Sequence, residues 1–354
     1  MKPNIKKSKT IPSEFYYSRI KFEEIKEKLF SKHWQFICDN KKLSNHGDSF
    51  PYDFIEGFVE EPLLLTNQNG IINSMSNVCT HRGNILVETP CNLKDEIVCR
   101  YHGRKFDTCG KFLFMPKYEG VENFPSENDN LKKNPCHIWK QFVFSSLNPK
   151  FPFSELINKM NERVSWMPIE NFVFSKQRSR DYIVNANWAL YCDNYLEGFH
   201  IPFVHKELVK NLNYTEYDIE IFKYSNLQLG IGQNNESVFN IPKGSKDFGK
   251  KIAAYYFWLF PNMMFNFYPW GLSINIVTPL GPEKTKIKFL SYIWDETKLN
   301  VGAGANLDKV EQEDEKIVEQ VQKGVKSRYY NQGQFSPTME KGVHHFHLLL
   351  SKFI

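Results

Sequence analysis

The sequence predicts an α+β fold in which a small antiparallel β-domain is inserted near the N-terminus of a larger domain. Between residues 33 and 146, short apolar runs alternate with turn signals such as Asn69-Gly70, a pattern typical of hairpins. Five apolar runs between residues 227 and 294 predict a second set of strands, and an acidic stretch over residues 307–330 has helical periodicity. At 354 residues the chain is long enough for about two domains.

The predicted elements divide the chain into three consecutive parts. Residues 15–31 carry apolar side chains at loosely helical spacing, so we expect an N-terminal helix that packs on the larger domain. In the larger domain, residues 151–165 predict a helix, residues 172–184 a strand and residues 187–196 a further helix. The predicted boundaries are 1–34 for the N-terminal helix, 35–148 for the β-domain and 149–354 for the larger domain.

Composition and charge argue against several classes of protein. The 45 basic and 40 acidic residues give a net charge of +5 and are interleaved, so no basic stripe predicts nucleic-acid binding. No stretch approaches the roughly 18 apolar residues of a membrane span, and the basic N-terminus lacks the apolar segment of a signal peptide. Seven cysteines, an odd number, argue against a disulfide framework. We expect a cytoplasmic protein with reduced thiols, some of which are candidates for metal binding.

One stretch, residues 193–205 (DNYLEGFHIPFVH), combines a carboxylate and two imidazoles in an apolar frame. Glu197, His200 and His205 lie within nine residues. Burying such groups costs free energy unless they are paired or bind a metal, and neighbouring imidazoles suit a transition metal. Two histidines five residues apart are also often unrelated, so this stretch alone leaves both interpretations open. We expect Pro202 to end or bend the preceding helix between the two histidines.

Two short motifs in the predicted β-domain pair a cysteine with a histidine: Cys79 with His81 in VCTHRGN, and Cys99 with His102 in CRYHGRKFD. Two such loops on adjacent hairpins can converge on a 2Fe–2S centre, with two thiolates on one iron and two imidazoles on the other. A glycine after each pair allows close approach of the backbone. The alternative is a structural zinc site, but zinc sites usually group Cys with Cys and His with His. The alternating order therefore favours the iron–sulfur interpretation.

Together these motifs resemble the two metal motifs of the Rieske non-heme iron oxygenases, the aromatic-ring-hydroxylating dioxygenase α-subunits, in the order and separation found in that family. The resemblance covers most of the chain and implies an all-β Rieske domain inserted near the N-terminus of a helix-grip catalytic domain, an antiparallel sheet with a long C-terminal helix. Most similar are subunits that act on choline, carnitine or glycine betaine, where the carboxylate at the position of Glu197 is often Glu. Arg100 and Arg104 replace the usual Pro and Trp of the second Rieske loop, so we expect the partner-facing surface to differ.

The resemblance also implies a third iron ligand, a carboxylate on the C-terminal helix, to complete a two-His-one-carboxylate set. Residues 307–330 contain an apolar stripe formed by Leu307, Val310, Ile317, Val318, Val321 and Val325. Asp314 falls near the middle of this stripe, where a carboxylate needs a partner. The other acidic residues lie toward its edges or opposite it: Glu311, Glu313, Glu315, Asp308 and Glu319. We assign Asp314 as the ligand, with Glu313 as the second choice.

The same resemblance implies a division of labour between two metal centres. A Rieske cluster would pass single electrons to a mononuclear Fe(II), which activates O₂. Glu197 is expected to bridge His102 of the partner subunit and the iron ligand His200, which implies a cyclic oligomer, most simply a homotrimer. Electrons would come from NADH or NADPH through a separate flavin- or ferredoxin-type reductase.

We predict the substrate pocket in residues 255–270, a segment dense in aromatic residues. Alternate residues of a strand share a face, and the selected wall consists of Tyr255, Phe257, Phe265 and Phe267. These rings could hold a methylammonium cation through cation–π attraction, which favours mono-oxygenation (hydroxylation or N-demethylation) of a small quaternary amine. The alternatives are an aromatic or other apolar ring as substrate, or rings that belong only to the core. A Rieske-type electron carrier is the hypothesis from another class, but a carrier needs no second metal site.

Overall fold

The computed structural model describes residues 1–205, 218–233, 236–299, 301–304 and 307–354. The chain divides into two units, one of residues 30–150 and one of residues 1–29 together with residues 151–354. Antiparallel strands form the smaller unit, and the larger unit combines helices with an antiparallel sheet. This arrangement confirms the predicted α+β fold with an inserted β-domain.

The helices and strands of the described residues are numbered in chain order. The helices are α1 (Arg19–Lys28), α2 (Phe153–Val164), α3 (Trp188–Tyr195), α4 (Ile201–Val204), α5 (Leu307–Gly324) and α6 (Lys341–Leu350). The strands are β1 (Gln35–Asp39), β2 (Asp48–Phe54), β3 (Glu61–Gln68), β4 (Ile71–Ser76), β5 (Cys91–Asn92), β6 (Glu96–Val98), β7 (Lys105–Asp107), β8 (Phe112–Phe114), β9 (Lys133–Asn134), β10 (Cys136–Trp139), β11 (Phe142–Ser145), β12 (Val173–Val184), β13 (Asp218–Ile221), β14 (Ser225–Ile231), β15 (Ile252–Leu259), β16 (Met263–Tyr268), β17 (Gly271–Gly281) and β18 (Lys284–Ile293). Among the helices of the described residues, none is both long and apolar enough to cross a membrane.

The smaller unit contains three antiparallel sheets, with strand orders β1-β11-β10, β5-β2-β3-β4-β9 and β6-β7-β8. The predicted turn at Asn69-Gly70 joins β3 to β4, and its two residues take the positive φ angles, 53° and 89°, that a tight hairpin needs. Strands of two sheets contribute to a shared apolar core that includes Leu64, Met75, Ile97 and Phe106. Cys79 and Cys99 belong to the same core, so both thiols lie at the buried side of their loops.

The larger unit is built on a seven-stranded antiparallel sheet with the order β12-β18-β17-β16-β15-β14-β13. Helix α3 packs on β17, and α5 packs against α3. Side chains of α5 accept hydrogen bonds from the backbone that precedes α3: Gln322 Oε1 from the Asn187 N–H at 2.8 Å, and Glu319 Oε1 from the Asn185 N–H at 2.9 Å. These bonds fix α5 beside the helix that leads into residues 193–205.

The strands and the helices α2 and α3 of the larger unit follow the prediction closely, whereas α4, α5 and α6 depart from it. The strand predicted at residues 263–268 coincides with β16. Helix α3 ends at Tyr195, and Pro202 lies in the first turn of α4, where the missing N–H of a proline has no helical acceptor to lose. The expectation that Pro202 ends or bends the preceding helix is therefore wrong. Helix α5 stops at Gly324 rather than near residue 330, and α6 was not predicted.

A polar cluster ties both ends of the chain to α3. The Tyr16 hydroxyl donates to Asp193 Oδ2 at 2.9 Å, and His347 Nε2 lies 2.8 Å from Asp193 Oδ1. Because His347 Nδ1 accepts from the Ile11 N–H at 3.2 Å, its Nε2 carries the proton and donates to Asp193. His344 contributes a further bond, with its Nε2 3.0 Å from a carbonyl oxygen near the N-terminus. These two tail histidines therefore serve the packing of the terminal segments.

A buried ion pair in the larger unit is expected to contribute strongly to the free energy of unfolding. The Arg163 guanidinium hydrogen-bonds Asp247 twice, once at 2.8 Å, and Glu220 Oε1 at 2.7 Å. The side chains of Arg163 and Asp247 are only 4% and 1% exposed. Arg163→Met leaves a buried carboxylate without its main partner, so we expect the free energy of unfolding to fall by about 3–5 kcal/mol in urea titrations.

The matched control is Arg19→Met, which removes an exposed guanidinium 3.5 Å from Glu23. We expect this variant to change the free energy of unfolding by less than about 1 kcal/mol. Equal effects of the two substitutions would contradict the assigned role of Arg163.

Candidate metal centres and substrate cavity

The two Cys–His loops of the smaller unit have the same backbone geometry. In each loop the cysteine N–H donates to a carbonyl five residues later, and the following glycine N–H donates back to the cysteine carbonyl, all at 2.8–3.0 Å. Gly83 and Gly103 hold the two turns with φ angles of 73° and 74°, which a residue with a side chain rarely adopts. Cys79 and Cys99 therefore begin equivalent turns, even though their histidines follow at different spacing.

The side chains of these loops converge as a cluster site requires. Cys79 and Cys99 are 3% and 2% exposed, and the ring centres of His81 and His102 lie 4.7 Å apart. Burial and the neighbouring Cys99 thiol raise the pKa of Cys79. Within the described residues the buried His102 Nδ1 has no hydrogen-bond partner. Two thiols, two imidazoles and an unpartnered ring nitrogen fit a 2Fe–2S cluster held by these four residues.

The two arginines of the second loop lie in different environments. Arg100 is exposed, but Arg104 is only 2% exposed and pairs through Nη2 with Asp129 Oδ1 at 2.6 Å. Its guanidinium also lies over the Phe112 and Phe124 rings, 4.8 and 5.5 Å from their centres. The expectation of a changed surface is therefore wrong for Arg104, which replaces an aromatic residue as a packing group beneath the loop.

The larger unit brings together His200, His205 and Asp314. The two histidines lie on either side of the short helix α4, and Asp314 projects from α5. Asp314 Oδ1 is 2.9 Å from His205 Nε2 and 3.5 Å from His200 Nε2, and the three candidate ligand atoms lie within 4.8 Å of one another. Two imidazole nitrogens and one carboxylate facing a common point fit a divalent transition metal.

Each imidazole also contacts a second carboxylate through Nδ1, the ring nitrogen that does not face Asp314. Glu197 Oε1 is 2.7 Å from His200 Nδ1, and Glu313 Oε2 is 2.7 Å from His205 Nδ1. With each Nδ1–H donating outward, each Nε2 lone pair is directed toward Asp314, which is the arrangement of a metal-binding histidine. Glu313, the second choice for the metal ligand, thus lies on the far side of His205 from Asp314.

The charges of this cluster are strongly coupled. Burial lowers the pKa of His200, but hydrogen bonds to Asp314 and Glu197 outweigh burial and raise it to about 9. The same competition raises the pKa of His205, while the two imidazoles overcome the effect of burial and lower the pKa of Asp314. Positive charge is therefore stabilised at this point, either as protons or as a metal that displaces them.

A cavity of about 130 Å³ opens beside these residues. Its wall is both aromatic and polar, with four amide side chains and the rings of Tyr191, Tyr195, Tyr256, Tyr268 and Phe289. Asn194 links the wall to the metal cluster, because its Nδ2 donates to Asp314 Oδ1 at 2.7 Å. The cavity thus gives a small molecule access to the point that the three candidate ligands face.

The predicted pocket wall of Tyr255, Phe257, Phe265 and Phe267 is wrong. The prediction chose the correct strands but the face that points away from the cavity. These four side chains do not line the cavity and are fully buried, each with 0% exposure. In β15 and β16 the opposite face carries the wall residues Tyr256, Asn266 and Tyr268. The polar side chain of Asn266 was the available signal, since a buried amide within an apolar strand marks the face that meets a polar site.

Glu311 lines the cavity, although helical periodicity places it only toward the edge of the apolar stripe. It is 4% exposed, and its Oε2 accepts a hydrogen bond from the Tyr191 hydroxyl at 2.6 Å. Gln322 is similarly buried, whereas the stripe residue Val321 is 43% exposed. The buried face of α5 thus includes polar side chains with specific partners and does not coincide with the predicted apolar stripe. The side chain of Leu307 lies outside the described residues.

Comparison with protein families identifies both units. Residues 33–125 match the model of the Rieske [2Fe-2S] domain, and residues 169–354 match that of the ring hydroxylating alpha subunit catalytic domain. Choline monooxygenase of Arabidopsis thaliana, described as chloroplastic, is 27% identical over 368 residues, covering 98% of this chain and 83% of that protein. The oxygenase subunit of carnitine monooxygenase from Escherichia coli K12 is 28% identical over 356 residues, covering 97% and 93%.

Solved structures share the fold over nearly the whole chain. The quaternary ammonium Rieske monooxygenase CntA in complex with L-carnitine superposes with a TM-score of 0.76 at 23% identity, covering 99% of this chain and 97% of that one. Naphthalene 1,2-dioxygenase from Rhodococcus sp. bound to indole gives a TM-score of 0.69 at 17% identity, covering 94% and 86%. By its family matches, the chain belongs to the Rieske-type ring-hydroxylating α-subunits, a family of oxidoreductases.

Proposed function

We propose that this chain is the terminal oxygenase component that mono-oxygenates a small quaternary-ammonium compound, by hydroxylation or N-demethylation. The observation that carries the proposal is the cluster of His200, His205 and Asp314 at the wall of an aromatic cavity. Similarity to a choline monooxygenase and to a carnitine monooxygenase, each aligned with at least 97% of this chain, supports quaternary-ammonium compounds as the substrate class.

The donor sets suit two different iron centres. The Rieske cluster would be held by Cys79, His81, Cys99 and His102, and a mononuclear Fe(II) by His200, His205 and Asp314. When bound, the cluster supplies single electrons and the mononuclear iron supplies O₂ activation. Glu197 and Glu313 keep the two imidazole rings oriented and leave each Nε2 available as a donor. A simple electron carrier is disfavoured because it needs neither the three-residue cluster nor the cavity.

Glu197 has a second proposed role as the link between the two centres. Its carboxylate holds His200 through Nδ1 and is 14% exposed, so it could also accept a hydrogen bond from outside the chain. By family resemblance, that donor is His102 of the partner subunit in a cyclic homotrimer. We also propose a separate flavin- or ferredoxin-type reductase that uses NADH or NADPH. Seven unpaired cysteines support a reducing compartment such as the cytoplasm.

The cavity wall supports a small cation as substrate. The rings of Tyr256 and Tyr268 meet edge to face with centres 5.9 Å apart, and burial raises the pKa of Tyr256, so its phenol stays neutral. Neutral aromatic faces attract a methylammonium group by cation–π interaction. A cavity of about 130 Å³ is close in size to an engineered cavity of about 150 Å³ that holds benzene. An aromatic substrate is the second candidate, favoured by the same rings but limited to a single small ring by this volume.

The function is tested by substrate-dependent oxygen uptake. The iron-loaded protein is combined with a surrogate reductase and NADH, and a panel of choline, carnitine, glycine betaine and aromatic acids is supplied. We expect at least one quaternary-ammonium compound to stimulate uptake and to yield an oxygenated or demethylated product. Stimulation by aromatic acids alone would overturn the proposed substrate class.

Asp314→Asn should remove the mononuclear iron and leave the cluster intact. The amide carries no charge to balance a divalent metal, so we expect the iron content to fall from about three to about two atoms per chain. Iron and sulfide analysis, with the paramagnetic signal of the reduced cluster, measures both centres. Asp308→Asn is the control, because this exposed carboxylate on the same helix bonds Tyr182 at 2.6 Å instead. A full complement of iron in Asp314→Asn would exclude Asp314 as a ligand.

Glu197→Gln should keep both metals and slow electron transfer between them. Removing the charged bridge is expected to slow the substrate-dependent oxidation of a reduced Rieske cluster by about 10- to 100-fold in single-turnover experiments. Glu313→Gln makes the same change behind the other imidazole, which has no proposed link to the cluster, and should slow this oxidation less. Normal cluster oxidation in iron-loaded Glu197→Gln would rule out the bridging role.

A further inference from the structure

One carboxyl group of the cavity wall has no role in the metal site described above. Glu311 lies one helical turn before Asp314 on α5, and its side chain is almost completely buried. The Tyr191 hydroxyl donates a hydrogen bond to Glu311 Oε2 at 2.6 Å. Its other oxygen, Oε1, has no hydrogen-bond partner among the described residues, although both Glu311 and Tyr191 line the cavity. Burying an unpartnered carboxyl oxygen costs free energy that a ligand can recover.

The surroundings of Glu311 leave its charged form without a compensating positive charge, which a bound cation would supply. Burial raises the pKa of Glu311, the bond from Tyr191 lowers it, and the carboxylates of Asp314 and Glu315 raise it further. The described residues that line the cavity include no lysine or arginine. The two imidazoles in the wall pair with Asp314, Glu197 and Glu313. No positive side chain among the described cavity residues is therefore paired with Glu311, while charge interactions there are stronger than in water.

We propose that Glu311 is the specificity-determining residue that selects a quaternary-ammonium head group over an uncharged group of the same shape. This inference rests on the proposed function. A quaternary nitrogen carries a permanent charge but no N–H, so it cannot replace a hydrogen bond such as the one from Tyr191. It can pair with the carboxylate by charge alone from within the cavity that Glu311 lines, where Tyr256 and Tyr268 supply aromatic neighbours for its methyl groups.

The test compares choline with 3,3-dimethylbutan-1-ol, which has a carbon atom in place of the nitrogen. Binding is measured by anaerobic calorimetry on the iron-loaded holoenzyme, and wild type is expected to bind choline more tightly. Glu311→Gln keeps the size of the side chain and an acceptor for Tyr191. We expect this variant to lose choline affinity by roughly 30-fold or more, while its affinity for the neutral alcohol is unchanged or improved.

Glu315→Gln is the matched control for the general negative potential of α5. It removes the same charge one turn further along the helix, from a side chain that does not line the cavity. We expect both ligands to bind this variant with affinities close to those of wild type. A similar loss of choline affinity in Glu315→Gln would show a general field effect and overturn the specific role of Glu311.

The remaining outcomes separate this inference from the proposed function. If wild type oxidises choline, carnitine or glycine betaine but binds choline and its neutral analogue equally, the inference is wrong and the function stands. This comparison needs no variant. A folded, iron-loaded Glu311→Gln that retains the choline preference also overturns the inference. If wild type neither binds nor oxidises any of these cations, the proposed function fails and the inference fails with it.

Discussion

The contact of Asp314 with two imidazoles is the constraint on which the larger unit depends. A carboxylate on the buried side of α5 is tolerated because His200 and His205 face it within 3.5 Å and Asn194 donates a hydrogen bond to it. The surrounding fold keeps these three side chains in place. Gln322 and Glu319 attach α5 to the backbone before α3, and α3 packs on strand β17 of the sheet. The site is therefore assembled from helices whose relative position is fixed by polar contacts as well as by apolar packing.

In both candidate centres the side chains that would bind metal are held in place by further contacts within the fold. In the larger unit each imidazole lies between Asp314 and a second carboxylate, which fixes the ring and its tautomer. In the smaller unit two turns of equal geometry place two cysteines on one apolar core. Such preorganised sites lose little conformational freedom when a metal binds, which is an advantage for centres that must hold iron through repeated redox cycles.

Much of this arrangement could be predicted from the sequence because its signals are local. The position of β16 and the Asn69-Gly70 hairpin follow from short-range backbone preferences, and Asp314 follows from the 3.6-residue period of α5. The pocket wall was missed because a shift of one residue exchanges the two faces of a strand, and both faces of β15 carry aromatic rings. Glu311 and Arg104 were misjudged because each charged group is buried through a tertiary partner, Tyr191 or Asp129, that is distant in sequence.

The most direct test of the central claim is the anomalous scattering of iron in crystals of the holoenzyme, measured on both sides of the iron absorption edge. The account predicts one single-atom peak within bonding distance of His200, His205 and Asp314, and a separate two-iron peak between the loops that carry Cys79 and Cys99. Iron found only between the two loops, with His200 and His205 bonded to Asp314 alone, would contradict the assignment of a mononuclear oxygen-activating site.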